Sequence, residues 1–244
     1  MKAFKLSLTA FFTLILTISG GPLWAAPVAL LYNGPAADPD GVESMTAILT
    51  GIGVEVRTCS DLTKLPSQLK GVSLFSIGGT TDDLAPINQM CTPKVAKAVS
   101  TWLEAGGTYL GICGGAIMAC DSWDDDTGHH ATLELFPTES ESFIEDQSAK
   151  ILPIRWSGKS VPMFFQYGPT FLKGAGFPRG TETFATYSNG KVAGLTYIHG
   201  KGKVALLGPH PEATKDWLSE DLPGVETWVD SRPLLTQLIQ SLGF

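Results

Sequence analysis

One stretch of this chain has the residue types and spacing of a nucleophile. In Tyr109-Leu110-Gly111-Ile112-Cys113-Gly114-Gly115-Ala116 a cysteine stands two residues from a glycine on either side, between an apolar run and a segment able to start a helix at Gly114. This is the pattern of a nucleophile elbow, because a turn that sharp tolerates few side chains around it and lifts the central one above the sheet. A cysteine there gains further. The free N–H groups and dipole of a helix start stabilise a thiolate and lower the thiol pKa. The plainer role for Cys113 is that of a small apolar filler in a glycine-rich turn.

A thiolate that attacks a carbonyl needs an acid to protonate the leaving group, usually a histidine oriented by a third side chain. The histidines are His129, His130, His199 and His210. His210 follows an apolar run in Leu206-Leu207-Gly208-Pro209-His210-Pro211-Glu212, and a strand end can aim a side chain at the elbow. Glu212, two residues on, can accept the other ring N–H. Gly78-Gly79 closes another apolar run, where backbone N–H donors could meet the oxygen of a tetrahedral intermediate. Those two glycines could equally serve only a turn that needs positive φ.

The elements that must position these groups alternate. Val28–Tyr32, Val54–Arg57, Val72–Ile77, Thr108–Ile112 and Lys203–Leu207 read as buried strands. Val42–Leu49, Asp61–Leu69, Lys94–Ala105 and Pro233–Leu242 read as helices, the third with Val95, Val99, Trp102 and Leu103 on one face. Strands alternating with helices predict a doubly wound, mostly parallel α/β sheet. Residues 151–196 read as an antiparallel excursion punctuated by turns such as Asn189-Gly190. Residues 121–146 are acidic and turn-rich, the pattern of a solvated segment, and their spacing fits no EF-hand loop.

The elbow together with the distant His210-Pro211-Glu212 resembles the class I glutamine amidotransferase-like superfamily, whose flavodoxin-like fold carries a Cys-His-Glu triad. More narrowly, Leu31-Tyr32-Asn33-Gly34-Pro35, Ile77-Gly78-Gly79-Thr80 and Phe165-Gln166-Tyr167-Gly168-Pro169 resemble the biotin-protein ligase amino-terminal-domain group. The resemblance implies Cys113 as nucleophile, His210 as acid and base, and Glu212 as the orienting group. It further implies an oxyanion hole at Gly78, Gly79 and Gly114, and a substrate pocket at Asn33, Gln166 and Tyr167. With no synthase domain in the chain to accept ammonia, the implied reaction is hydrolysis of an amide, peptide or γ-glutamyl C–N bond in a small molecule or peptide, with no cofactor. Two alternatives stand beside it: a non-catalytic binding module on the same fold, and a peptidase or glyoxalase-like stress protein using Cys113 with His129 or His130.

Residues 1–25 have two lysines, an apolar run and a small-residue exit, the pattern of a secretory signal peptide. The expectation is a single domain over residues 26–244, periplasmic or secreted, with no membrane insertion after cleavage. Cleavage would remove Lys2 and Lys5 and take the formal charge from -7 to -9. An acidic chain whose 17 lysines and arginines are scattered argues against nucleic acid as a partner. The four cysteines form no CxxC pair, which argues against structural zinc. In an oxidising compartment Cys59 and Cys91 are candidates for a disulfide, and Cys120, seven residues past Cys113, reads as a core residue two turns along the same helix.

Overall fold

The computed structural model describes residues 26–125, 128–174 and 176–244. The expected leader, residues 1–25, lies outside them. The apolar runs become strands β1 (Val28–Tyr32), β2 (Glu55–Cys59), β3 (Leu74–Ile77) and β4 (Thr108–Ile112). β1, β3 and β4 are buried along their whole length, as strands covered on both faces must be.

Helices α1 (Pro39–Gly51), α2 (Leu65–Gln68), α3 (Ala85–Asn88), α4 (Pro93–Glu104) and α5 (Gly114–Ile117) connect them. The main starts have local causes. Asp38 caps α1, its carboxylate accepting the Asp40 and Gly41 N–H groups ahead of Pro39, so this helix begins earlier than the expected Val42. Thr92 caps α4 in the same way ahead of Pro93. The expected helix over Asp61–Leu69 splits into a 3-10 turn at Leu62–Lys64 and the short α2.

The rest of the chain supplies β5 (Trp123–Asp125), β6 (Gly128–His130), β7 (Ser140–Ser142), β8 (Lys150–Trp156), β9 (Lys159–Phe165), β10 (Pro169–Phe171), β11 (Thr181–Thr186), β12 (Val192–His199), β13 (Gly202–Leu207) and α6 (Arg232–Ser241). The main sheet runs β2-β1-β3-β4-β13-β12-β11-β8-β9. Its pairings from β2 through β13 are parallel, and those from β13 onward antiparallel. The antiparallel excursion therefore prolongs the parallel sheet instead of leaving it.

Successive residues of each buried strand face opposite cores. Leu30, Tyr32, Phe75 and Tyr109 pack with Val95, Val99 and Leu103 of α4 on one face. Ala29, Leu31, Leu74 and Leu110 pack with Met45 and Leu49 of α1 and with Leu235 and Ile239 of α6 on the other. This is the doubly wound arrangement. The carboxyl ends of β1, β3, β4 and β13 converge on one edge, where such folds place their ligands.

Candidate active site

Cys113 sits at the carboxyl end of β4 with φ 51° and ψ -115°, a conformation that costs a non-glycine residue on the order of 1–3 kcal/mol. The surroundings enforce it. The Cys113 N–H donates to Leu207 O at 2.8 Å, and its carbonyl accepts the Ala116 N–H at 2.9 Å. The flanking glycines are needed for close approach: a β-carbon on Gly111 would stand 2.5 Å from Gly115 O, and one on Gly115 only 1.8 Å from Ile77 O. The buried Tyr109 hydroxyl donates to Gly115 O at 2.6 Å and ties the turn to its own strand.

α5 is a single turn of four residues. Two expectations change as a result. A helix this short has little dipole to offer Cys113. Cys120 lies beyond α5 and shares no helix face with Cys113, although it is fully buried as expected, with Sγ–H donating to Ala116 O at 3.4 Å.

His210 arrives from the end of β13. Its N–H donates to Phe164 O at 2.9 Å, and its ring lies edge-on to Phe164 and Trp217. The Nδ1–H donates to Glu212 Oε1 at 2.9 Å. An ionised carboxylate only accepts, so this bond sets the tautomer and leaves Nε2 for the substrate side. Burial alone would depress the imidazole pKa. The Glu212 charge, then the charge of Cys113 and a side-chain hydrogen bond with it, outweigh burial and carry the pKa well above the usual 6.5. Glu212 is fully buried, and its Oε2 has no hydrogen-bond partner among the described residues.

The motif residues Gly168 and Gly208 explain how the histidine strand and the Gln166–Pro169 segment meet. A β-carbon on Gly168 would lie 2.0 Å from Gly208 O, and one on Gly208 2.2 Å from Pro169 O. This backbone-to-backbone contact carries the Gln166 carbonyl to the elbow, where it accepts the Cys113 Sγ–H at 3.6 Å.

Cys113 and His210 share a cleft of about 1040 Å³. Gly79 and Gly114 line it, and neither N–H is bonded to a protein acceptor among the described residues. Thr80 Oγ1 would be 2.0 Å from a β-carbon on Gly114, so the two loops touch here. Gly78 lies outside the lining, and its carbonyl braces the elbow by accepting the Gly115 N–H at 3.1 Å. Of the expected oxyanion set, Gly79 and Gly114 face the cleft and Gly78 supports them from behind.

Gln166 and Tyr167 line the cleft as expected, and Asn33 does not. The Asn33 N–H is drawn to Cys59 O at 2.7 Å, and the residue is exposed. The same loop reaches the cleft through Asp38, whose N–H donates to Gly79 O at 3.0 Å. Burial raises the Asp38 carboxyl pKa against the opposing pull of the Asp40 N–H and of His210. His129 and His130 lie on the β5-β6 ribbon, outside the lining. Asp38, Phe164, Trp217 and the segment around β7 are lining residues that sequence reasoning did not single out, whereas Thr80 stood in the Ile77-Gly78-Gly79-Thr80 motif. The acidity of residues 139–145 was their one visible sign.

The expected Cys59–Cys91 disulfide is not formed: both are buried free thiols. The strand order puts β1 between β2 and β3. Tyr32 of β1 feels both sulfurs, burial and then their charges pushing its hydroxyl pKa up to about 12. Burial likewise pushes Cys59 and Cys91 up to about 12.

A family model described as biotin-protein ligase, N terminal, matches residues 29–237. No curated protein matches the sequence. Among solved structures the fold is similar to that of PurLQS from Thermotoga maritima, at 15% identity and TM-score 0.59 over 89% of this chain and 100% of that one. It is also similar to a glutamine amidotransferase from Thermotoga maritima, at 16% identity and TM-score 0.58 over 90% and 97% of the two chains. At these identities the likeness is one of fold.

Proposed function

This chain belongs to the biotin-protein ligase amino-terminal family and has a class I glutamine amidotransferase-like fold, and from that premise we propose that it is an exported cysteine hydrolase of amide, peptide or γ-glutamyl C–N bonds. Cys113 is the nucleophile, His210 the acid and base, and Glu212 the orienting group. The observation that carries this reading is the buried His210–Glu212 pair at 2.9 Å, turned toward a cysteine on a strained elbow in the same cleft.

The chemistry follows from the groups. The Cys113 sulfur, its proton passed to His210 Nε2, attacks the carbonyl carbon to form a C–S bond. The oxyanion takes hydrogen bonds from the Gly79 and Gly114 N–H groups. As the C–N bond breaks, the imidazolium returns its proton to the leaving amine, and a thioester remains on Cys113. His210 then deprotonates water, which adds to the thioester; the C–S bond breaks, freeing the acid, and the thiolate regains its proton. Glu212 stabilises the imidazolium at both stages without being protonated.

The test is turnover of a panel of γ-glutamyl and aminoacyl p-nitroanilides, with release of p-nitroaniline as the readout. Hydrolysis that disappears in Cys113→Ala and His210→Ala supports the reading. A ligand-induced rise in melting temperature, without turnover and unchanged in Cys113→Ala, would favour a binding module.

A further inference from the structure

The segments that wall the cleft deliver acids to it. Asp38 and Asp40 come from the loop after β1 and the start of α1, Asp82 from the loop after β3, and Glu139, Glu141 and Glu145 from the strip around β7. Among the described residues, no lysine or arginine lines the cleft, and His210 is the cationic group in it. Glu141 is paired with Lys191 at 2.7 Å. Among the described residues, the other five carboxylates have no lysine or arginine partner. A concave surface of one charge sign focuses its field and concentrates ligands of the opposite sign.

Asp38 is the member of this set that meets the reacting groups. Its Oδ2 lies 3.6 Å from the point a Gly79 β-carbon would occupy, and His210 Cε1 lies 2.9 Å from that same point. Carboxylate and imidazole therefore converge over Gly79, one of the two glycines offering a free N–H. The bonds from Asp40 N and Gly41 N, at 3.2 and 3.3 Å, hold the Asp38 carboxylate in place and use only part of its accepting capacity. Helix capping accounts for those two bonds. It does not account for the acids on two other segments, nor for the aromatic wall.

That wall is the second, independent observation. Phe164 and Trp217 line the cleft beside His210, with ring centroids 5.4 Å apart at near-perpendicular planes. Aromatic faces next to carboxylates are a setting for a guanidinium or ammonium group. The volume, about 1040 Å³, stands at the upper end of the roughly 300–1,000 Å³ usual for small-ligand clefts, which suits a peptide-sized ligand.

We propose that the cleft selects substrates with a positively charged group beside the scissile amide, a guanidinium or ammonium seated against Asp38 while the carbonyl faces Cys113. The proposal rests on the cysteine-hydrolase reading and names the substrate class for it. Asp38 is a specificity-determining residue that takes no part in proton transfer.

Calorimetric titration of the full-length Cys113→Ala protein with Nα-acetyl-arginine amide, its neutral isostere Nα-acetyl-citrulline amide and Nα-acetyl-glutamate amide tests this without turnover. The arginine compound is expected to bind at least about tenfold more tightly than the other two, an advantage that shrinks as salt screens the field. Adding Asp38→Asn, which keeps the helix cap because asparagine caps as well as aspartate, should bring arginine and citrulline compounds to equal affinity with the melting temperature unchanged. Equal binding of the arginine and citrulline compounds, no binding of the arginine compound at millimolar concentration, or an advantage that survives Asp38→Asn would each overturn the proposal. Iodoacetamide labelling of the unmutated protein separates the two readings. A reactive Cys113 without cation preference sinks the charge selection alone, whereas cation preference with an inert Cys113 sinks the hydrolase.

Discussion

Gly79 is the wall against which His210 rests: a β-carbon there would stand 2.9 Å from His210 Cε1. Real β-carbons do not come that close, so Gly79→Ala must move the imidazole, and a displacement near 1 Å can cost on the order of a hundredfold in rate. The expected outcome is a folded protein whose Cys113 alkylation and p-nitroanilide turnover fall steeply. Wild-type rates in Gly79→Ala would show that the position of His210 against this loop does not matter.

Burial pushes the pKa of Cys59, Cys91 and Cys120 up to about 12, which makes all three poor nucleophiles at neutral pH. Iodoacetamide at neutral pH should therefore modify Cys113 first, and His210→Ala should slow that reaction by on the order of tenfold or more. Peptide mapping by mass spectrometry reads both. Equal labelling of Cys113 and Cys120 would contradict the assignment, and a Cys59–Cys91 linkage in a non-reducing map would contradict the free thiols.

The His210 pKa is raised in the folded state, so the group stabilises the fold fully below its unfolded value near 6.5 and loses that contribution as pH rises through its folded value. Melting temperature should thus decline from about pH 6.5 upward. Glu212→Gln removes the main cause of the raised pKa and should flatten the profile, with its largest destabilisation on the acidic side. Melting curves between about pH 5.5 and about pH 9 check the sign. A profile rising over that window would refute it.

Gly115 has no room for a methyl group, since a β-carbon would lie 1.8 Å from Ile77 O. Gly115→Ala is expected to cost on the order of 3 kcal/mol or more, because backbone rather than a flexible side chain must give way. Gly51, at the end of α1 with nothing within 4 Å of a β-carbon, is the contrast. Gly51→Ala should be neutral or stabilise by up to about 1 kcal/mol. Urea denaturation of both variants measures the difference.

The elbow was legible in the sequence because its causes are local. Gly111, Gly114 and Gly115 are read within a few positions of Cys113, and Pro93 marks the start of α4; the Asp38 cap that starts α1 at Pro39 was missed, the helix being expected from Val42. The Pro209-His210-Pro211-Glu212 segment was legible for a similar reason, as Glu212 reaches His210 across two positions. The short α5 was less so, since Gly114 to Ile117 continues into apolar residues that pack as a loop, with Leu133 N and Leu135 N bonding back to Met118 O and Ala119 O.

Local residue order thus determined the apolar strand runs, the elbow and the His210–Glu212 spacing, features set within a few positions of one another. Only the tertiary structure decided which residues share the cleft. Buried parallel strands are apolar on both faces, and their runs do not state which strand lies beside which. The order β2-β1-β3-β4-β13 does: it sets β1 and its Tyr32 between Cys59 and the strand preceding Cys91, where sequence suggested a bond. It also lets the Gly79 carbonyl take the Asp38 N–H, which turns Asp38 toward the cleft while Asn33 of the same loop is held at Cys59. Contacts such as those among Asp38, Gly79 and His210 join residues far apart in the chain, and their geometry comes from the sheet that carries them.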